Sequence, residues 1–209
     1  MKFRKEKDKI YRAAFFDRDH TLLHGDPAAK QARMEMIERW SGRPLDPPMG
    51  LFEHLYNGRQ LMTVENEIAL WRAYFAELLR SQGVAELVSS RADALFDAFW
   101  LKGSVVYPET VPVLDWFAVH GYRMGVISDT FPSLKLTLEA VGLAGYFDVF
   151  VCSDQVGVMK PEPQIYQAAL DQLGVSASES LYVDDYRLEA DGARALGFTA
   201  FHICRDEEI

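Results

Sequence analysis

An apolar run beginning at Ala13, AAFF, stops on Asp17 and Asp19, and the hydroxyl of Thr21 follows two residues later. Side chains of a strand alternate faces, so two carboxylates two residues apart leave its end on roughly one side. Like charges so placed repel, and a cation between them is the usual relief. Three later apolar runs also end on reactive groups. Ser128, Asp129 and Thr130 follow one, Lys160 lies in the VMKPEPQIY loop after another, and Asp184 and Asp185 close a third directly. Such a set of carboxylates suits a hard cation that takes oxygen ligands, as Mg²⁺ does. A carboxylate is also a competent nucleophile toward phosphorus, and a second one can protonate the leaving oxygen and then activate water. A hydroxyl and an ammonium can hold phosphoryl oxygens, the ammonium also offsetting the carboxylate excess. Pro161 disfavours helix at Lys160, which puts the lysine on an extended loop able to reach inward.

The elements that must position these groups are legible as five short apolar runs: Tyr11–Phe16, Tyr122–Ile127, Val149–Cys152, Leu181–Val183 and Thr199–Ile203. They are continuous rather than alternating, as in the strands of a parallel sheet covered on both faces. Helical patterns separate the later ones: one between Pro112 and Gly121, one from Leu134 to Gly142, one from Pro163 to Gly174, and a short one over Ala190–Leu196. The alternation predicts an α/β fold, a Rossmann-like parallel sheet with right-handed crossovers. In such sheets reactive groups gather beyond the carboxyl ends of the strands, where each group named above falls.

The interval from Asp26 to Leu101 differs, with no convincing strand. Val64, Ile68, Trp71, Phe75 and Leu78 make a helical stripe, as do Val88, Ala92, Leu95 and Phe99, with Thr63 as an N-cap and Gly58 and Gly83 as stops. The stripes are read as core packing. An all-helical insert between the first and second strands predicts a cap over the sheet's carboxyl edge, with the core formed by 1–22 and 102–209 and the cap by 23–101.

Bulk properties narrow the classes. The chain has 209 residues, 49% of them hydrophobic, and a formal charge of -9, which argues against nucleic acid as a partner. The one basic cluster, Lys2 to Arg12, reads as a solvated tail and not as a signal peptide. No window approaches the roughly 18 apolar residues of a membrane span. The two cysteines, Cys152 and Cys204, lie in apolar runs and are expected to be buried free thiols of a cytoplasmic protein.

Taken together, the ordered groups resemble the motif set of the haloacid dehalogenase-like hydrolase superfamily: DRDHT over 17–21, Ser128, Lys160 in KPEPQIY, and Asp184-Asp185 followed by ADGARALGF. The resemblance implies a phosphatase of the helical-cap branch. Asp17 would be the nucleophile and Asp19 the general acid/base, with Ser128 and Lys160 holding the phosphoryl group. Mg²⁺ would be held by the Asp17 carboxylate, the Asp19 backbone carbonyl and Asp185, with Asp184 assisting. The substrate class it implies is a small phosphorylated metabolite, which His20 and Arg59 are candidates to face. His20 stands where the family usually has Gly. Asp129, where Asn or Gly is frequent, is expected to point away from a phosphate or to reach the lysine. Glu189 is read either as outer support for the site or as a helix-surface acid.

Asp19 weighs against the dehalogenase branch, because halide displacement needs no proton donor. A phosphonate-cleaving enzyme needs a cap lysine, and only Lys30 is on offer. A receiver domain carries its acidic pair first in the chain, the reverse of the order here. A sugar-phosphate mutase and a catalytically silent binding module of the same fold stand as the alternatives.

Overall fold

The protein is described over residues 11–205 in a computed structural model; the basic run from Lys2 to Lys9 lies outside those residues. The chain opens with β1 (Ala13–Phe16) and a short β2 (Leu23–Gly25). It then runs through α1 (Pro27–Ser41), α2 (Leu51–Tyr56), α3 (Val64–Ser81) and α4 (Val88–Phe99) before returning at β3 (Ser104–Val106). From there helices and strands alternate: α5 (Thr110–Val119), β4 (Arg123–Ser128), α6 (Leu134–Ala140), β5 (Val149–Cys152) and α7 (Ser153–Val156). The last elements are α8 (Pro163–Leu173), β6 (Ser180–Asp184), α9 (Arg187–Ala195) and β7 (Thr199–His202).

Five strands form one parallel sheet in the order β5-β4-β1-β6-β7. The AAFF run explains why β1 takes the centre. Ala13 and Phe15 face a cluster with Ile165, Tyr166, Tyr182 and Phe198, while Ala14 and Phe16 face another with Leu114, Val126, Leu134 and Leu138. An apolar side chain on every residue leaves neither face for water, so helices cover both: α8 and α9 on one side, α5 and α6 on the other. Burying Phe15 and Phe16, both essentially inaccessible, contributes about 2–3 kcal/mol each. The strand order reverses across β1, with β4 to one side and β6 to the other, so a crevice opens beyond its carboxyl end.

The five expected strands all form, Val149–Cys152 with the ends expected and the other four with ends displaced by one or two residues. The short antiparallel ribbon of β2 and β3, pairing Leu23 with Val106 and Gly25 with Ser104, was not expected. It ties together the two places where the chain passes between the sheet and the helical insert. Within the insert the aromatic stripes pack as read: Ile37, Phe75, Leu79, Leu95 and Phe96 form its core. Thr63 caps α3 by accepting from the Asn66 amide at 3.3 Å. Cys152 is buried, but Cys204 is exposed, because β7 ends at His202 and leaves it beyond the sheet.

Two buried carboxylates join insert to sheet from opposite sides. Glu67 of α3 accepts from the Ser133 amide at 2.8 Å and the Ser133 hydroxyl at 2.7 Å, at the start of α6. Asp154 of α7 accepts from the Tyr56 hydroxyl at 2.7 Å and the Leu61 amide at 3.0 Å. Each would be costly to bury unpaired. Asp154 takes both of its partners from the insert, while Glu67 adds the indoles of Trp71 and Trp100, at 3.3 and 3.4 Å within its own body, to the shorter bonds from Ser133.

Gly192 lets α9 lie against the loop that carries the lysine. A Cβ there would stand 2.5 Å from Pro161 Cβ and 3.1 Å from its carbonyl oxygen. Gly192→Ala is therefore expected to lower stability by about 1–3 kcal/mol, seen as an earlier denaturant midpoint. Gly145→Ala, which meets nothing within 4 Å, is the matched control and is expected to leave the midpoint in place.

Candidate active site

The Asp17 amide donates to the Val183 carbonyl at 2.9 Å, carrying the β1–β6 pairing one residue past the strand and fixing where its side chain emerges. Asp184 ends β6 on the neighbouring strand, fully buried. Lys160 arrives from the loop before α8, its side chain only 2% exposed, through a cis peptide to Pro161. Its Nζ donates to Asp17 Oδ1 at 2.7 Å and Asp184 Oδ2 at 2.9 Å, and pairs with Glu189 Oε2 at 2.6 Å. Three N–H donors thus meet three carboxylates. Asp184 is held further: Oδ2 accepts from the Tyr182 hydroxyl at 2.5 Å, and Oδ1 from the Tyr186 amide at 2.8 Å.

Carboxylate oxygens of Asp17, Asp184 and half-buried Asp185 lie within 4.8 Å of one another. Burial pushes the Asp17 carboxyl up to about 7; Lys160 pulls it down, and the neighbouring charges of Asp184 and Asp19 add to the rise. Glu189 rises to about 7 as well, again by burial against the pull of Lys160. Asp185 is raised by burial and then by the charge of Asp184. Burial pulls the ammonium of Lys160 the other way, but Asp17, Asp184 and Glu189 more than offset it and hold the lysine charged. One cation serves more carboxylates than it can neutralise. The surplus is negative, built of hard oxygen donors and partly desolvated, and a divalent cation fits that donor set.

Asp19 leaves this cluster. The strand ends at Phe16, and the chain turns through His20, whose φ of 53° is left-handed. That conformation is the physical reason glycine suits the position, and His20 accepts it at a cost while its amide closes the turn onto the Leu23 carbonyl at 2.7 Å. The Asp19 carboxylate is instead clasped by its neighbour Arg18, with Nη2 at 2.6 Å from Oδ2. The shared direction expected of the two aspartates is lost before that turn, where the chain leaves the strand after Phe16 and bends at Arg18. The charge relieving Asp19 is a guanidinium.

Asp129 reaches the lysine's main chain, its Oδ1 accepting from the Lys160 amide at 3.0 Å. Ser128 is buried at the end of β4, beside β1. Thr21 is buried with a hydroxyl oxygen that has no partner among the described residues. His20 is exposed, near enough to Asp185 to act on its charge. Arg59 does not join the group: it donates to the carbonyls of Leu55 at 2.7 Å and Tyr56 at 3.2 Å, closing the end of α2. Tyr182 was absent from the sequence reading, although its spacing of two from Asp184 on one strand puts both on the same face. A cavity of about 650 Å³ opens between insert and sheet, lined by Arg18, Tyr56, Trp71, Asp129 and Phe131 among others.

A family model described as haloacid dehalogenase-like hydrolase matches residues 11–197. A phosphoglycolate phosphatase from Yersinia pseudotuberculosis is 28% identical, over 91% of this chain and 80% of its own. A glyceraldehyde 3-phosphate phosphatase from Pyrococcus abyssi is 32% identical, over 90% of this chain and 79% of its own. Among solved structures, a 2-haloacid dehalogenase from Pseudomonas syringae is similar in fold, with a TM-score of 0.66 at 24% identity over 95% of this chain and 91% of that one.

The raised carboxyls carry a sign that can be measured. Asp17 and Glu189 hold their protons up to about 7 when folded, but release them near 3.8 and 4.5 when unfolded. Their contribution to stability is complete below those lower values and is lost as pH rises through about 7. The melting temperature of chelator-treated protein is expected to fall between about pH 5 and pH 8, less steeply in Asp17→Asn. Millimolar Mg²⁺ is expected to raise it more at the upper end of that range than at the lower.

Proposed function

The chain belongs to the haloacid dehalogenase-like hydrolases, and from that membership we propose that it is a Mg²⁺-dependent phosphomonoester hydrolase working on a small phosphorylated metabolite. The observation that carries the reading is the pair of environments given to Asp17 and Asp19. One carboxylate is buried and oriented by a lysine; the other, close in sequence, is half-exposed and hydrogen-bonded by an arginine. A nucleophile and a separate proton carrier are what phosphoester hydrolysis needs and what halide displacement does not. The named activities of the Yersinia and Pyrococcus relatives support the same reading.

In the first step an oxygen of Asp17 attacks phosphorus. The ester P–O bond breaks, and the leaving alcohol takes a proton from Asp19. In the second, Asp19 removes a proton from water, the water oxygen attacks the phosphoryl group, and inorganic phosphate departs with Asp17 restored. Ser128 and Lys160 present positive ends to the phosphoryl oxygens, and Lys160 keeps Asp17 aimed throughout. Mg²⁺ would be held by Asp17, Asp185 and the Asp19 carbonyl with Asp184 behind them, and it supplies the charge that keeps Asp17 ionised near neutral pH. The helical insert, residues 23–101, acts as a cap whose aromatic wall of Tyr56 and Trp71 excludes bulk water.

Hydrolysis of p-nitrophenyl phosphate tests this directly. Turnover is expected to require Mg²⁺, to stop with chelator, and to be lost in Asp17→Asn. Retained turnover in that variant overturns the assignment. Asp19→Asn is expected to lose about 10²-fold or more on alkyl phosphates, whose leaving group needs a proton. On the nitrophenyl ester it is expected to show a burst of about one nitrophenolate per enzyme, followed by slow release of phosphate.

A further inference from the structure

Arg18 sits between the two aspartates in the chain and between two cavities in the fold. Its guanidinium holds Asp19 through Nη2 at 2.6 Å from Oδ2 and through Nε at 3.2 Å from both carboxylate oxygens. On its other side Nη1 donates to Thr137 Oγ1 at 3.2 Å. The arginine side chain is 14% exposed and the aspartate 49%. The arginine is thus the seated partner of the pair and the carboxylate the detachable one.

Arg18 lines both the cavity of about 650 Å³ and a neighbouring one of about 210 Å³. Among the described residues it is the one cationic side chain on the wall of the larger cavity. The two acids on that wall are already engaged, Asp129 by the Lys160 amide and Asp154 by Tyr56 and Leu61. An anionic group entering there finds a single partner of opposite charge. A guanidinium presents its donors as a planar fork that matches a carboxylate.

We propose that Arg18 determines specificity by exchanging carboxylates: it pairs with a carboxylate carried on the leaving group of the substrate and in doing so gives up that of Asp19. The exchange conserves one ion pair, so freeing Asp19 costs little when the substrate supplies the replacement. An uncharged leaving group supplies none, and Asp19 stays clasped. No covalent bond changes in the exchange. Binding energy from a part of the substrate remote from phosphorus is thereby used to release the proton carrier. The inference rests on the phosphatase reading above.

The experiment compares kcat/KM for 2-phosphoglycolate and 2-hydroxyethyl phosphate, esters of similar size that differ in a carboxylate, with p-nitrophenyl phosphate as reference. Wild type is expected to favour the carboxylate-bearing ester by about tenfold or more, in kcat as well as in KM. Arg18→Met is expected to bring the ratio within about threefold of unity, and Arg18→Lys, with the charge but not the fork, to fall between. A ratio near unity in wild type overturns the inference, as does a wild-type ratio retained in Arg18→Met. Should Arg18→Met fail to fold, an undiminished ratio in Arg18→Lys overturns it equally. Asp17-dependent hydrolysis of the nitrophenyl ester with no carboxylate preference removes this inference alone. Absence of hydrolysis of all three esters removes the phosphatase reading and this inference with it.

Discussion

A single buried ammonium holds the centre of this molecule together. Lys160 touches Asp17, Asp184 and Glu189, which come from the end of β1, the end of β6 and the first turn of α9. None of these carboxylates is tolerable in that place as an unpaired charge, because the desolvation of an isolated ion far exceeds what packing returns. The sheet order and the tight passage of α9 over Pro161 both serve to bring one lysine to three acids. The pairing is incomplete by design of its charge count. A buried cluster of this kind is weak evidence of stability, and its surplus of carboxylates over cations is the feature a bound cation would relieve.

The same residue type has been given two characters by its surroundings. Asp17 is sealed among Lys160, Asp184 and the strand end, and its acidity is weakened by burial. Asp19 stands past the bend at Arg18, half in solvent, with its charge matched by a guanidinium. Separating two carboxylates in this way is the general means by which neighbouring acids take different parts in one reaction. Here the separation is made by the backbone, which leaves the strand after Phe16 and bends at Arg18 between the two acids.

Much of the architecture is readable from composition alone where burial is unconditional. AAFF, MGVIS, VFVC and LYVD are strands because apolar residues on consecutive positions need cover on two faces, and the site groups follow because strands of a parallel sheet end on one edge. The unread parts are those decided by tertiary pairing. β2 and β3 are three residues each and only partly buried, too short for periodicity to register. Glu189 gives no local sign of facing Lys160 instead of solvent, since a helix-surface glutamate and a buried one look alike in sequence. The ion pair of Arg18 with Asp19 joins adjacent residues, which in a strand would point apart and meet here only because the strand has ended. Cys204 directly follows the apolar run Thr199–Ile203, yet the strand ends at His202 and burial stops with it.

Glu67 and Asp154 have a consequence for how such a fold can be recombined. Each is an acid buried at the junction, one donated by the insert and satisfied by Ser133, the other donated by the sheet and satisfied by Tyr56 and Leu61. The two halves are therefore keyed to each other like complementary plugs. Grafting a foreign insert onto this sheet strands Asp154 without its hydroxyl and amide. Moving this insert to a foreign sheet takes from Glu67 its two shorter bonds and leaves it only the indoles of Trp71 and Trp100. The two pieces can be exchanged at least cost where each acid travels with its partners across the junction, so the insert and the α6–α7 edge of the sheet are matched parts.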